Sequence, residues 1–68
     1  MASINVIGIA VRTKRAKFTL LRNDMVAVQA GAVSIQKSQD EASAVYATLR
    51  GRGFKVIDRQ GSTVFMHA

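Results

Sequence analysis

A helical pattern of apolar side chains runs through the middle of the chain, over residues 38–53. The i, i+3, i+4, i+7 spacing of a helix with one buried face is met by Ala42, Val45, Tyr46 and Leu49. We therefore expect these four side chains to face a core. The remaining apolar segments are typical of strands, so this segment is predicted to be the only helix.

Local signals mark both ends of the predicted helix. Ser38 is expected to cap the first turn, and Glu41 is expected to reach back to the Ser38 amide. At the other end, Gly51 or Gly53 can adopt the left-handed conformation that ends a helix. The predicted helix therefore has a defined start and stop.

The N-terminal segments are predicted to form strands. The segment Ile4 to Val11 is rich in β-branched residues and predicts a first strand, with Gly8 at a bulge or a close backbone approach. A basic turn over residues 12–17 then leads into a second strand over residues 18–22. A short helix over the same residues is the alternative, because Lys, Arg, Ala and Leu are good helix formers.

The alternation of apolar side chains changes phase at Gly31, in the segment that follows a turn signal at Asn23-Asp24. A glycine bulge at Gly31 would keep both halves of one long strand facing the core, whereas a tight turn would make two short strands. The segment Ala30-Gly31-Ala32 lacks the Asn or Asp that short hairpin turns favour. We therefore expect the bulge.

The C-terminal residues 54–67 predict a hairpin. With Gln60-Gly61 as a two-residue loop, Arg59 faces Ser62 and Val56 faces Phe65. This register assigns five residues to the helix-covered face: Phe54, Val56, Thr63, Phe65 and His67. The opposite face then carries Lys55, Ile57, Arg59, Val64 and Met66.

Together these elements predict an α+β fold, an antiparallel sheet of about five strands with one helix packed on one face. The 68 residues form a single small basic domain, residues 1–68. A domain of this size buries only about 60% of the surface of its unfolded chain. Since the chain has no cysteine for disulfides, self-association as a homodimer is the expected source of additional stability. The lack of cysteine also fits a cytoplasmic location.

Charge is the strongest functional signal in the chain. Ten Lys and Arg against four Asp and Glu give a net charge of +6, which favours a polyanionic partner. The segment from Arg12 to Arg22 contains basic residues without an acidic one, and Phe18 is a candidate stacking side chain beside them. The alternative is an edge strand whose lysines discourage sheet-to-sheet pairing. A second basic cluster, Arg50, Arg52, Lys55 and Arg59, surrounds the end of the predicted helix.

Catalytic and metal-binding patterns are not recognisable. The chain has one histidine, His67, and an acid–base role would need an orienting partner that the sequence does not specify. Four carboxylates and no cysteine provide few metal ligands. No apolar run approaches the roughly 18 residues of a membrane-spanning helix, and no signal peptide is recognisable. We therefore expect no cofactor, no metal and no membrane partner.

The helix end and hairpin from Leu49 to Ser62 resemble the opening helix and hairpin of HicA-type toxins. The shared features are a helix, the Gly53-Phe54 step, then Arg59 and the Gly61-Ser62 step. HicA-type toxins are messenger-RNA interferases with a fold similar to the double-stranded-RNA-binding domain. Thr63 stands where that family has its catalytic histidine, and the family's second helix is missing. The resemblance therefore implies an RNA-facing surface at Arg59, Gly61 and Ser62 without cleavage.

A second resemblance concerns the segment from Val28 to Ser34, the predicted helix, and residues 53–56. These look like the first half of a SPOR domain, a periplasmic module that binds glycan strands lacking stem peptides. The chain ends before that family's second helix and last strand, and it lacks a recognisable export signal. The SPOR resemblance accordingly ranks below the HicA resemblance.

These observations predict a non-catalytic nucleic-acid-binding protein that contacts phosphates with little reading of base sequence. The predicted contacts are Arg12, Lys14, Arg15, Lys17, Arg22, Arg50, Arg52 and Arg59. The alternative is a small phage- or plasmid-type interaction or inhibitor protein that binds an acidic protein partner. A ribonuclease of the HicA type ranks third.

Overall fold

A computed structural model describes residues 5–68, which form two helices and five strands. In chain order the elements are α1 (Val6–Thr13), β1 (Arg15–Leu20), β2 (Met25–Ala30), β3 (Val33–Ser38), α2 (Gln39–Gly51), β4 (Lys55–Gln60) and β5 (Thr63–His67). The strands form one antiparallel sheet in the order β3-β2-β1-β5-β4. The predicted α+β class and the five-stranded sheet are therefore confirmed. Within residues 5–68, no helix combines the length and apolar character needed to cross a membrane.

Both helices pack on the same face of the sheet. Side chains from α1 and α2 share one core with alternate residues of the strands: Val6, Ala10, Ala16, Phe18, Val26, Val28, Ala30, Ala42, Val45, Leu49, Phe54 and Met66. The alternation of strand side chains sends the intervening residues to the other face. That second face carries neither helix, and we call it the open face.

The predicted first strand is wrong, because residues 6–13 form α1. Ile4 lies outside the described residues. The helix begins at the Asn5 cap, whose side-chain oxygen accepts a hydrogen bond from the Gly8 amide at 2.8 Å. Val6 and Ala10, one helical turn apart, are buried in the core. Burial of this face overrides the strand preference of the β-branched residues, so α2 is not the only helix and Gly8 is not a bulge.

The predicted helix over residues 38–53 is confirmed as α2, including its capping residues. The Glu41 amide donates to the Ser38 hydroxyl oxygen at 3.2 Å. The Glu41 carboxylate does not reach the Ser38 amide as expected, but accepts from the Ser38 hydroxyl at 3.2 Å. At the other end, Gly53 has a φ of +93°. The Gly53 and Phe54 amides donate to the carbonyls of Arg50 and Leu49, which closes the helix with a Schellman motif.

The buried face of α2 matches the predicted spacing. Ala42, Val45 and Leu49 are buried, and Tyr46 packs at the margin of the same core. The Tyr46 ring meets the Phe18 ring edge to face, with centroids 5.9 Å apart. The expectation that Tyr46 is a core side chain is thus confirmed.

The basic segment divides between three elements. Arg12 and Thr13 end α1, Lys14 connects with a left-handed backbone (φ +65°), and the strand begins at Arg15. The predicted second strand is therefore present, but it starts earlier than residue 18 and ends at Leu20. The predicted turn at Asn23-Asp24 is confirmed, with a φ of +59° at both residues, as a type I′ hairpin turn requires.

Gly31 lies in a tight turn, so the predicted bulge is wrong. Ala30 pairs with Val33, which leaves Gly31 and Ala32 as a two-residue loop between β2 and β3. Gly31 has a φ of +58°, a conformation in which glycine can replace the missing Asn or Asp. The phase change in the sequence therefore reflects a reversal of chain direction.

The C-terminal hairpin forms with a different register from the predicted one. Gln60 pairs with Thr63, so the loop is Gly61-Ser62, one residue later than expected. A bulge between Val56 and Asp58 shifts the pairing again. As a result Met66 is 1% exposed in the core, whereas Phe65 is half-buried on the open face. The predicted core role of Phe65 is wrong, and that of Phe54 is confirmed.

Candidate nucleic-acid interface

Three strands bring basic side chains to one end of the sheet. β1 begins at this end with Arg15, β5 ends there with His67, and β4 begins there with Lys55. Arg15 and Lys55 both pair with His67, so these three residues lie side by side across the sheet. Since cross-strand partners share a face, all three belong to the open face.

Both helices end near this same end of the sheet. α1 carries Arg12 in its last turn and continues through Lys14 directly into Arg15. α2 carries Arg50 in its last turn, and its C-cap Arg52 is followed closely by Lys55 at the start of β4. We call the resulting group the basic end: Arg12, Lys14, Arg15, Arg50, Arg52 and Lys55. All six residues are exposed.

Cations at a helix C-terminus also stabilise the helix itself. The last carbonyls of a helix carry partial negative charge, and a nearby Lys or Arg contributes about 0.3–1 kcal/mol of stability. Arg12 and Arg50 are placed to act in this way. This role explains one cation per helix, but not the additional charges on the connections and strand starts.

Three of the four acidic side chains lie at the end of the sheet opposite the basic end, and the fourth, Asp58, lies in β4 across from Phe65. Asp24 is in the β1–β2 turn, and Asp40 and Glu41 are in the first turn of α2, at the opposite end of the sheet. Glu41 pairs with Lys37 at 3.4 Å, which is the single ion pair within residues 5–68. The basic end therefore keeps its charge exposed to solvent.

Three other residues predicted from the sequence lie outside the basic end. Lys17 is on the open face, two residues along β1 from Arg15. Arg22 is in the β1–β2 turn, and Arg59 pairs with Val64 near the β4–β5 turn, both at the opposite end of the sheet. The structure thus brings together the predicted residues Arg12, Lys14, Arg15, Arg50 and Arg52. It separates Arg22 and Arg59 from them.

The stacking side chain expected at Phe18 is not available. Phe18 is 7% exposed and faces the helices. Phe65 lies instead on the open face, where the Lys17 ammonium nitrogen is 6.0 Å from the centroid of its ring. Phe65 is absent from the site residues predicted from the sequence, because the face on which it lies depends on a hairpin register that the pattern of apolar residues does not resolve.

A concavity of about 550 Å³ lies at the basic end, where the open face meets Thr13 of α1 and Gly31 of the β2–β3 turn. Its lining includes Arg15, Lys17, Gln29, Ile57, Phe65 and His67. Ile57, at the β4 bulge, is 63% exposed. The concavity therefore combines an aromatic ring, an exposed aliphatic side chain and cations.

His67 lies at the margin of this concavity, one residue before the end of the chain. Its Nδ1 atom is 2.7 Å from the main-chain oxygen of Ala68. Because this oxygen carries no hydrogen, it accepts and Nδ1 is the donor in this hydrogen bond. The contact orients the imidazole ring through the backbone.

Comparison of the chain with protein-family models, with curated proteins and with solved structures gives no match. The resemblances to HicA-type toxins and SPOR domains therefore stay predictions from the sequence.

Proposed function

We propose that this protein is a non-catalytic nucleic-acid-binding protein that contacts phosphate groups through its basic end. The single observation that carries the proposal is that two helices end and two strands begin at the same end of the sheet, which brings six exposed cations to that end. None of these six cations forms an ion pair within residues 5–68. Such a group favours a polyanion, because each phosphate contact releases condensed counterions.

The side chains of the basic end favour contacts to the backbone of nucleic acid over reading of base sequence. They are exposed Lys and Arg side chains on turns and element ends. Phosphate contacts of this kind position a nucleic acid without carrying sequence information. We therefore propose that the protein binds nucleic acid with low sequence specificity and that it is cytoplasmic.

The test is a salt titration of binding to a labelled oligonucleotide, measured by fluorescence anisotropy. The logarithm of affinity should fall with the logarithm of salt concentration, by about 0.7 per contacted phosphate on a single strand. A double variant, Arg50→Gln with Arg52→Gln, should lower this slope by about 1.4 if each arginine contacts one phosphate.

The matched control is Arg22→Gln with Arg59→Gln, at the opposite end of the sheet. It removes the same net charge, so it separates a local contact from a general electrostatic effect. We expect the control slope to stay close to that of the unsubstituted protein. Equal effects of the two double variants, or binding of the unsubstituted protein that is insensitive to salt, would contradict the proposal. Absence of any binding would instead favour the acidic protein partner.

We also propose a homodimer, formed through the β3 edge of the sheet. β3 has a neighbour on one side only, and Lys37 is its one charged residue. The opposite edge, β4, carries Lys55, Asp58 and Arg59 together with a bulge, which are features that discourage edge pairing. The mass of the protein in solution tests this part of the proposal.

A further inference from the structure

Phe65 is an aromatic side chain on the face of the sheet that carries no helix. Its neighbours along β5, Val64 and Met66, pack with the core, so the alternation of the strand directs Phe65 outward. Its cross-strand neighbours are Lys17 on β1 and Asp58 on β4. An aromatic ring on an open sheet provides a flat apolar surface on which a planar group can stack.

Cations border this ring on the side that leads to the basic end. The Lys17 ammonium nitrogen lies 6.0 Å from the ring centroid. Arg15 is two residues further along the same face, and Lys55 lies across His67 from it. The positive charge is therefore continuous from the ring to the basic end.

The concavity beside Phe65 is large enough for a nucleotide. Its volume of about 550 Å³ falls within the roughly 300–1,000 Å³ of ordinary small-ligand sites. Ile57 forms an apolar wall beside the ring, and Gln29 adds a polar amide. These are the groups that a base, a sugar and a phosphate contact in single-stranded nucleic acid.

We propose that the open face binds single-stranded nucleic acid, with a base stacked on Phe65 and the adjoining phosphates held by Lys17 and Arg15. The nucleic-acid strand then continues over the basic end. This inference rests on the proposed function and adds a preference for single strands, because the faces of bases in a duplex are already stacked on one another. DNA and RNA share the required chemistry.

Asp58 sets one limit of this site. It is paired across the sheet with Phe65. Its carboxylate oxygens accept from the Arg59 amide at 2.8 Å and from the Gln60 side-chain nitrogen at 2.9 Å. A carboxylate at this position repels phosphate, so the nucleic-acid strand should pass on the Arg15 side of the Phe65 ring. Asp58→Asn should therefore strengthen binding.

The principal experiment compares Phe65→Leu with the unsubstituted protein, using single-stranded DNA, single-stranded RNA and duplex DNA of one sequence. Loss of one base stack should weaken single-strand binding by at least about fivefold. The salt slope should not change, because no charge is removed. Phe65→Tyr, which keeps the ring, should retain the affinity.

Tyr46→Leu is the matched control, since it removes an aromatic ring from the helix-covered face. It should leave affinity unchanged at temperatures where thermal melting shows the variant folded. If the Phe65→Leu variant does not fold, a second variant tests the same site. The chain has no tryptophan, so Phe65→Trp introduces a single tryptophan, whose fluorescence single-stranded nucleic acid should quench and duplex DNA should not.

The outcomes separate the two proposals. If the unsubstituted protein binds no nucleic acid, the proposed function fails. If it binds with a salt-dependent affinity but Phe65→Leu binds equally well, or Phe65→Trp is not quenched, the stacking site is overturned and the proposed function stands. Quenching by single-stranded DNA and RNA alike supports the site for both, and quenching by one of them supports the site and identifies that nucleic acid as its occupant.

Discussion

The face on which each residue of β5 lies can be tested by substitution of two adjacent side chains. Met66 is 1% exposed and packs in the core, whereas Phe65 is half-buried on the open face. The hairpin register expected from the sequence places these residues the other way round. Met66→Ala and Phe65→Ala therefore distinguish the two registers by their effects on the free energy of unfolding.

The magnitude follows from burial. Truncation of a fully buried Met to Ala costs about 2–5 kcal/mol, because the transfer free energy is lost and a cavity remains. Phe65 makes mainly cross-strand contacts, so Phe65→Ala should cost at most about 1 kcal/mol. At roughly 0.05–0.15 kcal/mol per residue, a chain of 68 residues has a total stability of only about 3–10 kcal/mol. Met66→Ala should thus remove a large share of the stability.

Thermal and urea unfolding, followed by circular dichroism, provide the measurement. For a domain of this size, each 1 kcal/mol lowers the melting temperature by about 4–8 °C. Met66→Ala should therefore melt at least about 8 °C below the unsubstituted protein, and Phe65→Ala much closer to it. Equal losses, or a greater loss for Phe65→Ala, would refute the register and with it the stacking site on the open face.

The remaining predictions concern the two ends of α2, and both are measured by urea unfolding. Gly53→Ala should destabilise the protein by about 1–2 kcal/mol, because Gly53 has a φ of +93°. Gly51→Ala should instead stabilise it by about 0.5 kcal/mol, because Gly51 is at a helical position with open space around it. Changes of the same sign for both variants would contradict the Schellman motif. Ser38→Ala should cost about 1 kcal/mol through loss of the cap, and Ser43→Ala, within the same helix, should be neutral or slightly stabilising. A cost at Ser43 as large as that at Ser38 would contradict the capping argument.

The sequence by itself determined α2, its capping residues and the presence of most strands. These features depend on residues a few positions apart, such as Ser38 with Glu41, or Gly53 with Arg50. The amphipathic spacing of α2 and the turn at Asn23-Asp24 are local in the same sense. Such local features can be predicted from the sequence, because the residues that form them are close together in the chain.

Only the tertiary structure decided that residues 6–13 form a helix, because the burial of Val6 and Ala10 depends on strands distant in the chain. Only the tertiary structure likewise decided that Gly31 lies in a turn, since its sequence suits a bulge equally well. It also decided the hairpin register, which places Met66 in the core and Phe65 on the open face. Net charge was evident from composition, but the basic end exists because two helices end and two strands begin at the same end of the sheet. Contacts between distant segments set these features, and local preferences differ too little in energy to select between the alternatives.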